Sequence, residues 1–349
     1  MRTVLIIQYV IPSYRVDIFN LLASEVNLTV LYSEGTVPEK CKFKTEKFPV
    51  IKLHYKFHTR NLYKYASKFD VVICTLDFSF FYANILDLLP RKYKIIYWGI
   101  GVSASYKCRY DENQMQAKYI LWHIRHADSM LFYSDYPVQK YTKLGAPKEK
   151  LYVAHNTVSV NPVNINPEKS SILFIGALYA QKKLDILLHS YYRAYLKRRD
   201  IPILHIIGDG DQKSILQDYV NDNGLENNVL FHGQITDDEL LAPYFSDAII
   251  CISPDQAGLS ILKSMGYGVP YVTHKNAITG GEIFNIHNGE DGVIIDDFSE
   301  LEDIILNCYD NREMYYSMGV NAYNYYHNHC KPEVMVSGFL NAINFSCGL

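Results

Sequence analysis

A chain of 349 residues with 48% apolar and 20% charged side chains has the material for a packed core and the length for two domains. No stretch reaches the roughly 18 uninterrupted apolar residues that a membrane span needs. Met1–Val10 lacks the charged start and cleavage site of a signal peptide, so the expectation is a protein of the cytoplasm. The formal charge of −3 conceals an asymmetry: residues 1–160 hold 22 Lys/Arg against 13 Asp/Glu, whereas residues 161–349 hold 12 against 24. The first part is therefore suited to anionic partners.

In chain order, Thr3–Gln8, Leu28–Tyr32, Val71–Thr75, Ile95–Trp98 and Ser129–Tyr133 read as short β-rich runs, with helical patterns at Arg15–Ser24 and Asn113–Arg125. Lys40, Lys42, Lys44, Lys47, Lys52 and Lys56 recur among aromatic and apolar residues. They fit either a surface for lipid headgroups or phosphates, or a solvated loop or edge strand. Asn161-Pro-Val-Asn-Ile-Asn-Pro-Glu168 reads as a linker. A second series follows, with strands at Ile172–Ile175, Leu204–Ile207, Val229–Phe231, Ala248–Ile252 and Tyr271–Thr273. Helices are expected at Lys183–Lys197, Gln212–Asn221, Asp237–Tyr244 and Leu259–Tyr267. Two successive series of this kind predict two doubly wound α/β domains, with ligands at the carboxyl ends of the strands and in the cleft between the domains. The seven cysteines show no paired metal spacing and read as reduced, mostly buried thiols.

Several strand ends in the second half carry residues suited to a ligand. Gly176-Ala-Leu-Tyr-Ala-Gln-Lys-Lys183 places a glycine after a strand and two lysines before a helix. This suits a diphosphate, although an ordinary strand-to-helix turn has the same composition. Gly208-Asp-Gly-Asp211 is a common Gly-rich turn whose Asp-x-Asp spacing is expected to shape the loop rather than hold a metal. After Phe231-His-Gly233, the backbone near Gln234 and Ile235 can meet a flat base, and His232 reads as a packed or capping residue. The segment Ser253–Pro270 joins a buried strand, a small-residue loop and a helix N-terminus, an arrangement that attracts anions and polyols through backbone N–H groups.

Taken in order, these segments resemble the GT-B glycosyltransferases, in particular the retaining family 4 type (glycosyl transferases group 1). Gly280-Gly-Glu282 and Asn288-Gly-Glu-Asp-Gly292 continue the resemblance. In the first half it is carried by Pro12-Ser-Tyr-Arg-Val16, His126-Ala-Asp128, Ser134, Gly145-Ala-Pro147 and His155-Asn156. The resemblance implies an acceptor domain over 1–160, a nucleotide-sugar donor domain over 161–330, and a terminal helix over 331–349 that returns to the first domain. The apolar-periodic segment Val334–Ile343 suits that helix.

It also implies roles. Lys182 and Asp255 are the expected catalytic residues, offsetting diphosphate charge and contacting the transferred sugar. Donor binding is expected at Gly176, Lys183, Gly208, Gln234, Ile235, Gln256, Ala257, Gly258, Leu259, Ser260 and Lys263. Tyr14, Arg15, Asp77, Trp98 and Ser103 are expected on the acceptor side because they lie near strand ends. Asp77 also fits an N-cap or turn, and Trp98 fits a buried aromatic as well as a sugar-stacking platform. No metal or resident cofactor is expected, and the partners are a nucleotide sugar and a saccharide acceptor, lipid-linked at the inner face of the cell membrane. No nucleic acid is expected. The chain departs from the family at Ala177, where Arg is usual, at Lys263, where a carboxylate binds ribose, and at Ile100, where many relatives have His. These departures motivate an alternative: a degenerate glycan-binding subunit that assists an active transferase. A sugar epimerase or phosphorylase is a weaker alternative.

Overall fold

The computed structural model describes residues 1–52, 56–58, 61–76, 81–104 and 109–349. Asp77 and Cys108 lie outside the described residues, as do the side chains of Lys52 and Lys56. The chain divides into two compact units, the first comprising Met1–Ala104, Tyr110–Ser159 and Lys331–Leu349, the second built on Val160–Cys330.

The strands of the first unit are β1 Thr3–Ile7, β2 Asn27–Tyr32, β3 Lys44–Lys47, β4 Val50–Lys52, β5 Lys56–His58, β6 Val71–Thr75, β7 Lys94–Gly99, β8 Ser129–Phe132 and β9 Leu151–Val153. Seven of them form a parallel sheet in the order β3-β2-β1-β6-β7-β8-β9, and β4 and β5 pair as an antiparallel hairpin. Helices α1 Val16–Glu25, α2 Asn61–Ala66, α3 Phe81–Asn84, α4 Gln114–His126 and α5 Asp135–Lys143 connect the strands. Both faces of the sheet are covered, so its central strands are apolar throughout rather than alternating. Val4 and Ile6 of β1 join one buried cluster, and Leu5 and Ile7 join the other. Asn113 caps α4, its Oδ1 accepting the N–H groups of Met115 at 3.0 Å and Gln116 at 3.3 Å.

In the second unit, β10 Ser171–Ile175, β11 Leu204–Ile207, β12 Val229–Gly233, β13 Ala248–Ile252, β15 Tyr271–His274 and β17 Gly292–Ile295 form a parallel sheet. Its order is β12-β11-β10-β13-β15-β17. Two short strands, β14 Gln256–Ala257 and β16 Ile278–Thr279, pair separately. The helices are α6 Leu184–Lys197, α7 Lys213–Asp222, α8 Asp238–Asp247, α9 Ser260–Gly266, α10 Glu300–Asn307 and α11 Arg312–Tyr325. The strand order reverses between β10 and β13, so the loops after these two strands open the crevice where doubly wound sheets bind ligands.

The last helix, α12 Pro332–Ser346, belongs to the first unit. Pro332 starts it at a position where the missing N–H has no helical partner. Met335, Phe339, Ala342 and Ile343 are buried in the β1 cluster beside α1 residues Ile18, Phe19 and Leu22. Gly338 permits the close approach to β9, since a Cβ there would stand 2.1 Å from the Val153 carbonyl oxygen. Ser129 and Ser346 close the contact with a 2.9 Å hydroxyl pair.

Most expected elements are present within a few residues of their expected ends. The lysine-rich run contributes the edge strand β3, with Lys44 and Lys47 exposed, charges that protect an edge from further pairing. Six of the seven cysteines are described, all as free thiols, with Cys74, Cys251, Cys308 and Cys330 buried. Among the described residues no helix is long and apolar enough to cross a membrane.

Candidate functional site

The loop after β10 carries both lysines. Gly176 sits at the strand end, and a 3₁₀ turn, Ala180–Lys182, leads into α6. The Lys182 side chain folds back over the glycine: a Cβ at residue 176 would lie 3.1 Å from Lys182 Nζ and 3.3 Å from Cε. Lys182 is only 8% exposed; its backbone N–H donates to Tyr179 O at 2.9 Å, and its ammonium has no hydrogen-bond or ion-pair partner among the described residues. Burial pushes its pKa down to about 8 from the ordinary 10.5, with the nearby Cys251 sulfur opposing weakly. An ammonium on a side chain largely withdrawn from water, with no counter-charge beside it, at the switch point of a doubly wound sheet is suited to receive an anion.

Lys183 is arranged differently. Its backbone is left-handed, φ 52° and ψ 43°, which costs a non-glycine residue about 1 kcal/mol. From there its ammonium reaches Asp255 Oδ2 at 2.7 Å and lies over the Phe298 ring, 4.9 Å from the centroid. The loops after β10 and β13 thus meet through a charge pair.

Asp255 is held from the backbone. The Ile278 N–H donates to the Asp255 carbonyl at 2.8 Å, the His274 N–H donates to Pro254 O at 3.0 Å, and the Ser253 hydroxyl donates to Gln256 O at 2.9 Å. Gln256 and Ala257 are β14, paired in register with Ile278 and Thr279. A Cβ at Gly258 would meet nothing within 4 Å, so the loop is open there. Leu259 and Ser260 begin α9, whose first amides lack helical acceptors. The Ser260 hydroxyl pairs with the buried Tyr271 hydroxyl at 2.7 Å. Below the loop, the buried Glu282 accepts the Gly280 N–H at 2.8 Å.

The Gly-Asp-Gly turn is a backbone lock. A Cβ at Gly208 would lie 1.8 Å from Gly176 O, and one at Gly210 would lie 2.4 Å from Leu178 O. Leu178 N–H donates to Asp209 O at 2.9 Å, and Gln212 N–H donates to Leu178 O at 3.0 Å. Gly208 is therefore in contact with the lysine loop itself. Asp209 accepts from Gly210 N–H and Lys213 Nζ, both at 2.8 Å, as expected of a residue that shapes its own turn. Gln234 and Ile235 follow β12, Gln234 exposed and Ile235 half-buried. His232 is packed, its Nε2 2.9 Å from His205 Nδ1 and its Nδ1 3.1 Å from the Tyr244 hydroxyl.

Lys263 does not stand free beside this loop. Its ammonium pairs with Asp238 in the first turn of α8, and its side chain is 19% exposed.

In the first unit the expected acceptor residues separate. Tyr14 is 42% exposed, whereas Arg15 is 3% exposed and Trp98 1%. The Arg15 guanidinium lies over Trp98 (4.9 Å), Tyr14 (5.0 Å) and Tyr133 (5.5 Å) and donates to Asn156 Oδ1 and to Met335 Sδ at 3.2 Å. Trp98 also packs edge-on against Phe19, Tyr133 and Phe339. The buried alternative applies to Trp98, since its ring has no open face for a sugar. Arg15 likewise braces this core against α12. Ser103 is buried and accepts the Asn113 N–H at 2.9 Å, a turn contact ahead of α4. Asp77 lies outside the described residues.

Phe298, His274 and Asp238 are the site neighbours that sequence reasoning missed. Asp238 had a signal, a carboxylate in the first turn of the helix expected at Asp237–Tyr244. Phe298 had none, because the strand before it, β17, follows a Gly/Asn-rich turn with weak alternation.

Comparison with known proteins agrees with this geometry. Residues 169–311 match the family model described as glycosyl transferases group 1. Over its whole length the chain superposes on the Anabaena protein Alr3699/HepE, with a TM-score of 0.75 at 15% identity, covering 99% of this chain and 100% of that one. Within the second unit the likeness is to glycosyl transferases group 1 over those residues, and the chain has the GT-B fold. In sequence it is 26% identical over 236 residues to an uncharacterized 41.2 kDa protein of the Klebsiella pneumoniae cps region, spanning 60% of this chain. It is 28% identical over 112 residues to an uncharacterized glycosyltransferase of Methanocaldococcus jannaschii, spanning 32% of this chain. The matches cover 62% and 28% of those relatives' own lengths.

Proposed function

We propose that this chain is a retaining glycosyltransferase that moves a sugar from a nucleotide-diphosphate donor to a saccharide acceptor, lipid-linked, in the synthesis of a surface polysaccharide. The observation that carries the reading is the buried, partnerless ammonium of Lys182 over Gly176 at the switch point of the second unit. A diphosphate supplies the missing counter-charge. Support for the donor class comes from the Anabaena neighbour, crystallised with UDP and with UDP-glucose. Support for the polysaccharide setting comes from the cps-region relative.

In this reading Lys182 and Lys183 offset charge that develops on the leaving diphosphate, helped by the N–H groups of Leu259 and Ser260. Gly176 and Gly258 let the phosphates and sugar approach the backbone. Asp255 and the Gln256–Ala257 backbone orient sugar hydroxyls, and the backbone at Gln234 and Ile235 faces the base. The bond from the anomeric carbon to the diphosphate oxygen breaks as the acceptor oxygen attaches on the same face. The acceptor proton passes to the departing diphosphate oxygen, so no side-chain base is required. The lysines do this work without a resident metal. On the first unit, exposed Tyr14 is retained as an acceptor contact together with Asp77, while the basic surface faces headgroups at the inner side of the membrane.

The alternative, a catalytically degenerate subunit, is favoured by one observation: Lys263 and Asp238 neutralise each other where a ribose carboxylate is expected. Incubation of the full chain with UDP-, GDP- and ADP-sugars and saccharide acceptors, with and without EDTA, separates the two. Our reading expects EDTA-insensitive product whose anomeric coupling by NMR matches the donor's. Binding without product for every pair supports the degenerate subunit, and an inverted product refutes retention.

A further inference from the structure

We infer that Phe298, backed by His274, is a positioning residue for the donor's diphosphate, acting through Lys183; this rests on the donor site proposed above. Three features of the second unit converge on that lysine. Its backbone adopts a left-handed conformation ordinarily left to glycine. Its ammonium is caught between the Asp255 carboxylate at 2.7 Å and the face of Phe298 at 4.9 Å. The Phe298 ring is itself held, since the His274 ring stacks on it with centroids 4.6 Å apart and planes 27° from parallel.

The relay is built on a rigid frame. His274 Nε2 lies 3.0 Å from the Asp296 carbonyl, and its Nδ1 accepts the Asn276 N–H at 3.2 Å. With Nδ1 accepting the Asn276 N–H, Nε2 is the ring nitrogen that donates to the Asp296 carbonyl, and the two bonds fix the plane of the imidazole. The loop that carries Phe298 is closed by Glu300 Oε1, which accepts the N–H groups of Asp296 and Asp297, both at 2.8 Å. Asp297 Oδ1 accepts the Ser299 N–H at 2.8 Å, and Lys275 pairs with Asp296 at 2.8 Å. Phe298 itself is half-buried against the apolar core of the unit.

An aromatic face does here what a second carboxylate cannot. It attracts the ammonium and limits the rotamers of a long, flexible stem, yet it leaves the charge unneutralised and the N–H donors available. When a donor enters, its sugar hydroxyl competes for Asp255 while its diphosphate competes for Lys183. The ring keeps the ammonium in place through that exchange. With Ala177 in the loop instead of a guanidinium, Lys183 is the second cation beside Lys182, and Phe298 sets where it stands.

The test uses the full chain with UDP and UDP-glucose, GDP- and ADP-glucose serving as further probes, in titration calorimetry alongside steady-state turnover. Phe298→Leu keeps apolar bulk and removes the π face; it is expected to weaken diphosphate binding about three- to tenfold and to raise KM more than it lowers kcat. Phe298→Tyr keeps the face and is expected within about twofold of wild type. Lys183→Gly removes the strained backbone and the ammonium together, so it should melt no lower than wild type while losing affinity. In that background Phe298→Leu should change nothing further. Equal affinity for wild type and Phe298→Leu, or the same loss in the Lys183→Gly background, overturns the inference alone. A wild type that binds none of the probes overturns the donor-site reading itself, and this inference with it.

Discussion

Lys182 makes the account quantitative, because a buried ammonium without a partner lowers stability in the free protein. Its pKa falls from 10.5 to about 8, with burial as the main cause, which corresponds to about 3 kcal/mol of penalty at neutral pH. Between about pH 8 and 10.5 the unfolded chain holds a proton that the folded chain has shed. Stability therefore rises with pH through that window, and above it the penalty is gone. Lys182→Met keeps the stem and deletes the charge, so the free protein is expected to gain about 1–3 kcal/mol at pH 7 and to lose the gain by about pH 10.5. For a unit of this size that is an upward shift of about 2 to 10 °C. The assay is thermal and denaturant unfolding of wild type and variant at pH 7 and 10, followed by titration with UDP. Diphosphate binding should drop at least tenfold in the same variant that melts higher. A variant that melts lower, or one that binds UDP as wild type does, refutes the reasoning.

Three further outcomes follow from the geometry. Lys263→Glu places a second carboxylate beside Asp238, and donor affinity should fall; unchanged or tighter binding in calorimetry counts against a cationic role for Lys263. His205 and His232 are both held below the usual imidazole range, by burial first and, for His205, by His232 next with Asp247 opposing. Their contribution is complete above about pH 6.5 and lost as pH falls through the lowered values, so denaturant midpoints should drop between pH 7 and 5, and less so in His205→Leu. Gly338→Val drives a side chain into the Val153 carbonyl and should cost about 2 kcal/mol or more by denaturant unfolding, whereas Ser337→Val one position earlier on an exposed face should cost little.

The alternation of apolar runs and helical patterns made both sheets legible, because strands covered on two faces must be apolar at every position. β10 to β13 and the loops after them were readable for that reason. The edges were not. β3 is Lys-Thr-Glu-Lys, a charged strand whose pairing comes from β2 rather than from its own pattern, and β17 hides behind a Gly/Asn-rich turn. At the site, residue types were visible but not their pairings. The resemblance marked Lys182 and Asp255, yet only the fold shows Lys182 alone and Lys183 on Asp255, since chain order says nothing of which strand-end loops adjoin. Trp98 was ambiguous for a related reason: a strand-end aromatic looks the same in sequence whether it faces a ligand or, as here, lies under Arg15 and α12.

The most direct test of the donor site is proton uptake on ligand binding. With its pKa pushed down to about 8 by burial, Lys182 sheds its proton in the free protein at a pH where a free lysine keeps it, and a bound diphosphate restores the ammonium. Calorimetric titration with UDP at pH 8.5, in two buffers of different ionisation enthalpy, is predicted to show net proton uptake that is absent in Lys182→Met. UDP binding with no uptake, or with the same uptake in the variant, contradicts the claim that Lys182 is the diphosphate's partner.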